Sequence, residues 1–202
     1  MGSVKIYVEG GVGDSEALRT ACRRGFSQFL EKAGLAGKMP RVVPCGSRHE
    51  AYHSFCTALR QNKKDELPLL LVDSEVEVAP HHGPWPHLHH HDQWQKPAQA
   101  TEDQAHLMVQ CMETWLVADV ETLVAYFKQG FNRNPLPRNQ DLESVAKADI
   151  LKALANATRP LKKNAYDKGQ HSFALLALID PDQVRQHCSH ADRFIAFLLN
   201  RP

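Results

Sequence analysis

No Cys-x-x-Cys pair occurs in this chain; its five cysteines, Cys22, Cys45, Cys56, Cys111 and Cys188, are scattered. An odd number of isolated cysteines argues against a disulfide framework and reads as reduced thiols in a cytosolic protein. No secretory leader precedes the first strand-like run, and no apolar stretch approaches the roughly 18–20 residues that cross a bilayer. The expectation is a soluble, cytoplasmic protein with no membrane partner. Charge of one sign is also missing. Lys and Arg number 24 and Asp and Glu 23, for a formal charge of +1. That balance argues against holding nucleic acid by bulk charge and leaves room for a local basic patch. No Gly-x-Ser-x-Gly elbow is present, and no Gly-Lys-Ser/Thr follows the glycines after residue 9. Cys111 has His106 and Glu113 near it in sequence, without a spacing that supports thiol catalysis.

What is present is a chain of 202 residues, 43% hydrophobic and 23% charged, enough for a single folded domain over 1–202. Residues 4–8, VKIYV, read as a strand. Asp14 or Ser15 caps the next helix, where Leu18, Cys22, Phe26, Phe29 and Leu30 recur at helical spacing before Gly34 and Gly37. Residues 41–45 are a second strand, and Ser47 caps a helix running to about residue 62. Residues 67–72 are almost wholly apolar, as in a central parallel strand, and stop at Asp73. This alternation predicts an α/β fold with a mostly parallel sheet flanked by helices. Residues 80–97, rich in Pro, His and Trp, have no period and read as a long irregular loop. Residues 106–111 read as a further strand, and 112–117 as a helix or strand end. Helices are expected over 120–128, 142–155 and about 169–179, then after Asp180-Pro181 and Ser189. Residues 120–202 are thus a mainly helical portion packed on the same domain.

Glu9, Asp73, Glu75 and Glu77 are the sharpest chemical signal. Ligand sites in such sheets lie beyond the carboxyl ends of the strands, where Glu9 and Asp73 fall. Asp73-Ser74-Glu75 points two carboxylates the same way if the backbone stays extended. Hard cations such as Mg²⁺ prefer carboxylate oxygens and act at phosphorus centres. The competing reading is acids that close strands and face water. Glu113, inside an apolar run, is a rim residue, half of an ion pair, or part of the same cluster. Glu9-Gly10-Gly11-Val12-Gly13 is either an anion-facing glycine turn or a turn needed for geometry alone.

Histidine is in excess: there are 12, with six between His81 and His91. Surface positions or adventitious metal binding fit them better than a zinc site, since no regular element holds them. Trp85 and Trp94 either stack on a base or bury themselves to anchor the loop. Arg133, Arg138, Lys147, Lys152, Arg159, Lys162 and Lys163 give residues 128–168 a basic bias suited to phosphate, or to a solvated edge.

Glu9-Gly10 and Asp73-Ser74-Glu75 resemble the two acidic motifs of Toprim domains, found in topoisomerases, primases, a ribosomal-RNA maturation nuclease and overcoming-lysogenisation-defect nucleases. Met112-Glu113-Thr114-Trp115-Leu116-Val117-Ala118-Asp119 and Tyr166-Asp167-Lys168 extend the likeness, over nearly the whole chain, to a small stand-alone bacterial Toprim-like family often encoded beside an ATPase. The resemblance implies a Toprim-like, Rossmann-like fold and a Mg²⁺-dependent nuclease or phosphodiesterase, with Mn²⁺ as a substitute, acting on DNA or RNA in a defence or repair system. It makes Glu9 an acid–base or metal-positioning group, Asp73 and Glu75 metal ligands, Glu113 a contributor and Lys168 a phosphate contact. An AAA- or ABC-type ATPase is the implied partner. The usual second motif has two aspartates, and Glu75 departs from it by one methylene of extra reach. Two other classes stay open: a non-catalytic nucleic-acid or ATPase-partner module, and a nucleotide phosphohydrolase or transferase.

Overall fold

A computed structural model describes residues 2–11, 15–61 and 63–201. Val12, Gly13, Asp14 and Asn62 lie outside these residues. So do the far part of the expected glycine turn, one of the two candidate caps of the first helix and the expected end of the second.

The first half alternates strand and helix: β1 (Ser3–Val8), α1 (Glu16–Leu30), β2 (Arg41–Pro44), α2 (Arg48–Gln61) and β3 (Glu66–Asp73). A helix α3 (Pro84–Asp92) and a strand β4 (Ala105–Met108) follow. All strand pairs are parallel, in the order β2-β1-β3-β4. The protein is therefore an α/β fold with a four-stranded parallel sheet flanked by helices. Ser15 caps α1 by accepting from Leu18 N at 3.3 Å. Ser47 and Glu50 form a reciprocal cap at α2: Ser47 N donates to Glu50 Oε2 at 2.8 Å and Glu50 N to Ser47 Oγ at 3.2 Å.

The apolar run of β3 is explained by burial on both faces. Leu69 and Leu71 enter a core with Ile6, Val8, Phe26, Phe29 and Trp115. Leu70 and Val72 enter a second core with Phe55, Trp85, Leu88 and Leu107. Helix α1 covers the first face and α2 the second. The chain passes from β1 outward to β2 and then back across to β3. The carboxyl ends of β1 and β3 therefore flank the point where strand order reverses, the place such sheets use for ligands.

The second half is helical: α4 (Met112–Ala118), α5 (Val120–Phe127), α6 (Lys147–Thr158), α7 (Lys168–Leu176), α8 (Pro181–His187) and α9 (Ser189–Leu199). Asp119, Asp167 and Asp180 cap α5, α7 and α8 with their side chains. No helix among the described residues is long and apolar enough to cross a membrane.

Three expectations are corrected. Residues 80–97 are not irregular throughout: Pro84 at the first position starts α3. Trp85 is buried there, its Nε1 donating to Thr101 O at 3.0 Å, and Trp94 stacks on Tyr52 with centroids 4.5 Å apart. Those packing and hydrogen-bonding partners lie on other elements, so no local period announced them. The helix expected over 142–155 starts instead at Lys147. Residues 141–145 are held in turns, because Glu143 is turned toward α9. Ser189 does not cap α9; its hydroxyl donates to Glu143 Oε2 at 2.9 Å, and Glu143 takes up the helix's His190 N at 3.0 Å.

Candidate functional site

β1 ends at Val8 and β3 at Asp73, on adjacent parallel strands, so Glu9 and Asp73 become neighbours. Asp73 N donates to Glu9 Oε2 at 3.3 Å. Glu75 joins them by a route its sequence spacing does not suggest. Its backbone is not extended but left-handed, with φ 67°. The end of β4 holds that turn: Ser74 N donates to Met108 O at 3.0 Å and Glu75 N to Gln110 O at 2.9 Å. Left-handed backbone costs a non-glycine residue about 1 kcal/mol or more, and such strain gathers at functional sites. Glu9, Asp73 and Glu75 each bring an oxygen to within 4.8 Å of the others.

Asp73 is 2% exposed. Its Oδ1 accepts from Met112 N, at the start of α4, at 2.9 Å. Its Oδ2 faces Lys147 Nζ at 3.3 Å and Lys168 Nζ at 4.0 Å. Lys147, at the start of α6, also donates to both oxygens of Glu75, at 2.8 and 2.9 Å. Arg48, at the start of α2, donates from Nε to Asp73 O at 3.0 Å and lies 3.8 Å from both Glu9 and Glu75. Its guanidinium is clamped by both oxygens of Asp92, the last residue of α3, and lies 5.1 Å from the Trp94 ring centroid.

Glu113 is completely buried on α4. Its Oε1 accepts from Tyr166 OH at 3.0 Å and faces Lys168 Nζ at 3.4 Å. Its Oε2 has no hydrogen-bond partner among the described residues. The two halves of the Tyr166-Asp167-Lys168 step thus meet the glutamate of the α4 segment. Glu77 does not join the cluster. It is exposed and lines a separate cavity with His82, Asp141 and His190. The left-handed turn at Glu75 sends the following chain away from the strand ends.

The electrostatics follow from burial and count. Glu9, Asp73, Glu75, Glu113 and Asp92 face three cations, Arg48, Lys147 and Lys168. Full ionisation would leave an excess of two negative charges. Burial, then the Asp73 charge, pushes Glu9 well above the ordinary carboxylate range. Burial also raises Asp73, against the pull of Lys147 and Lys168. Burial opposes the charged form of Lys147, but Asp73 and Glu75 outweigh it and raise that lysine. Burial and then Glu113 hold Tyr166 protonated, as a donor. Cys111 is no nucleophile here: burial pushes its thiol up to about 12.

Glu9 and Asp73 also line a cavity of about 280 Å³. Gly10, whose φ is 138°, sits at its wall with Phe173; a Cβ there would stand 2.9 Å from the Phe173 ring.

Arg48 and the role of Lys147 were missed in the sequence. Lys147 counted only toward a basic stretch, and Arg48 carried one usable signal, its place just after β2 on the ligand side of the sheet. The rest of that basic stretch is elsewhere in role: Arg159, Lys162 and Lys163 are exposed, without ion pairs among the described residues. His87 touches the chain beside the cluster, its Nε2 2.9 Å from Ser74 O, but it meets no carboxylate of the cluster. Also missed was His49-Glu50-Ala51-Tyr52-His53 on α2, which has the spacing of a zinc-binding helix. Its two Nε2 atoms are 3.2 Å apart, while Glu50 is occupied in the helix cap.

Residues 8–199 match a family described as a domain of unknown function, DUF4276. No curated protein and no solved structure matches the chain.

Proposed function

The chain belongs to the DUF4276 family, and we propose that it is a Toprim-like, metal-dependent phosphodiesterase acting on nucleic acid. The observation that carries this reading is the convergence of Glu9, Asp73 and Glu75 within 4.8 Å at the strand-order reversal. The donor set fits a hard divalent cation such as Mg²⁺ or Mn²⁺: it is all carboxylate, it has negative charge in excess, and it adjoins a buried carboxylate oxygen, Glu113 Oε2, left without a partner. A divalent ion held there supplies Lewis-acid stabilisation of charge developing at phosphorus.

The chain's own groups have separable tasks. Lys168 is half-exposed at the cavity wall and suits a phosphate oxygen of the substrate. Glu9 completes the carboxylate set from β1, its Oε2 accepting from Asp73 N. Lys147 keeps Asp73 and Glu75 from repelling one another. Arg48, fixed by Asp92, holds the Asp73 carbonyl and stands beside Glu9 and Glu75. Tyr166 orients Glu113.

The test is a panel of single- and double-stranded DNA and RNA with Mg²⁺ or Mn²⁺, comparing wild type with Asp73→Ala. Cleavage that requires the metal and disappears in a folded Asp73→Ala protein is the expected result. Cleavage that survives the substitution overturns the site. Turnover of mononucleotides with none of polymers overturns the nucleic-acid reading.

A further inference from the structure

The cavity beside the carboxylates has walls of two kinds. One edge carries Glu9, Asp73 and Lys168. The remainder is mostly apolar, built from Leu18, Met108, Met112 and Phe173 with the bare backbone of Gly10 and Gly11; its one other polar group, the Ser172 hydroxyl, is spent on Lys168 O. Phosphate and sugar are hydrated groups that gain nothing from such walls. A nucleobase is flat, has apolar faces and stacks on aromatic side chains. The volume of about 280 Å³ admits one small planar group, not a base pair. Phe173 and Gly169 also line a second, larger groove of about 700 Å³ between α1 and α7, where exposed Arg24 stands. The two hollows thus share Phe173 and Gly169 as wall residues, with Lys168 at one and Arg24 and Glu16 at the other.

We infer that the cavity captures one unpaired base of the substrate, so that the enzyme acts on a single-stranded segment or an unstacked end, with the next nucleotide led along the α1–α7 groove. This inference rests on the metal-dependent reading for the reaction and on the cavity alone for recognition.

The experiment reads binding, not turnover. Oligonucleotides carrying 2-aminopurine are titrated with the full chain in Ca²⁺, as a single strand and as a blunt duplex, beside an otherwise identical single strand with an abasic residue. The single strand should bind with a change in 2-aminopurine fluorescence, and the duplex and abasic forms at least tenfold more weakly. Gly169 has ordinary helical backbone and room for a side chain at the mouth of both hollows: a Cβ there would stand 3.4 Å from its nearest neighbour, Asp167 Oδ1. Gly169→Leu should weaken single-strand binding at least tenfold while leaving the Mn²⁺ affinity of the free protein unchanged. Equal binding of duplex or abasic strand, or no effect of Gly169→Leu in a folded protein, overturns the base pocket. Mn²⁺ titration of wild type against Asp73→Ala, without nucleic acid, tests the metal reading separately.

A second inference stands on α2 alone. Two imidazole nitrogens on one tetrahedral ion, each at about 2.0–2.1 Å, stand about 3.3 Å apart. His49 Nε2 and His53 Nε2, both on exposed residues, are already 3.2 Å apart. We propose that this pair chelates a borderline transition-metal ion such as Zn²⁺, with water completing the shell. Glu50, held by Ser47, takes no part. Calorimetric Zn²⁺ titration should show one equivalent fewer in His49→Ala and in His53→Ala than in wild type. An unchanged stoichiometry and affinity in either variant overturns the pair.

Discussion

Two buried carboxylate sites in this molecule invite comparison. Glu143 is 5% exposed and fully answered by donors. It receives His190 N at 3.0 Å, Ser189 Oγ at 2.9 Å and the His190 ring at 2.9 Å, and it fastens the start of α9. The cluster at the strand ends joins buried Asp73 and Glu113 to part-exposed Glu9 and Glu75, and it is answered only in part. Five carboxylates there share three cations, one oxygen of Glu113 has no partner among the described residues, and Glu75 is held in a left-handed turn. Folding alone accounts for the first arrangement, since both carboxylate oxygens it buries accept hydrogen bonds. The second arrangement costs stability, and a bound cation is what would relieve it.

The contrast breaks most visibly in activity. Asp73→Ala should lower metal-dependent cleavage by more than about a hundredfold in a steady-state assay, while Glu143→Ala leaves it within about twofold. Stability should respond in the opposite sense. Glu143→Ala strands several donors and should cost about 2 kcal/mol in urea unfolding. Asp73→Asn keeps an acceptor for Met112 N and removes one excess charge. In metal-free buffer at pH 8 it should raise the unfolding free energy by about 1 kcal/mol. A loss of similar size in both variants would erase the distinction between the two sites.

A smaller effect sharpens it. Glu9 and Asp73 are both raised above their unfolded values, so the folded chain holds protons that the unfolded chain has released. Their contribution to stability therefore falls as pH rises from the ordinary carboxylate range toward the raised values, and is regained on acidification. Binding of Mn²⁺ must run the other way, weakening as pH falls through the raised values, because protons compete for the same oxygens. Calorimetric titration across that range, with Asp73→Asn alongside, measures both trends. The smallest expected effect is that of Glu77→Ala. This residue stands outside the cluster, so Mn²⁺ affinity should change by less than about twofold.

Much of this arrangement was legible. β-branched and apolar runs marked the first three strands, and the strand–helix alternation placed Glu9 and Asp73 on one edge. What stayed hidden depends on contacts between distant segments. Lys147 lies 74 residues from Asp73, and no local spacing links them. Helix α3 has its partners, Arg48, Ser74 and Thr101, on other elements, so its histidines looked structureless. The convergence of Glu75 was foreseen for the wrong reason, since a left-handed residue, not an extended one, delivers it. Glu77, grouped with the others only by its nearness in sequence, lies outside the cluster.

The lysines facing Asp73 come from α6 and α7, while the acids facing them are complete by Glu113. A ribosome makes the acids first. Until residues 147–173 are made, the strand edge has its full set of carboxylates with Arg48 alone of the three cations, and the wall containing Lys168 and Phe173 is missing. The pocket is therefore closed only by α7, after every carboxylate of the cluster is in place.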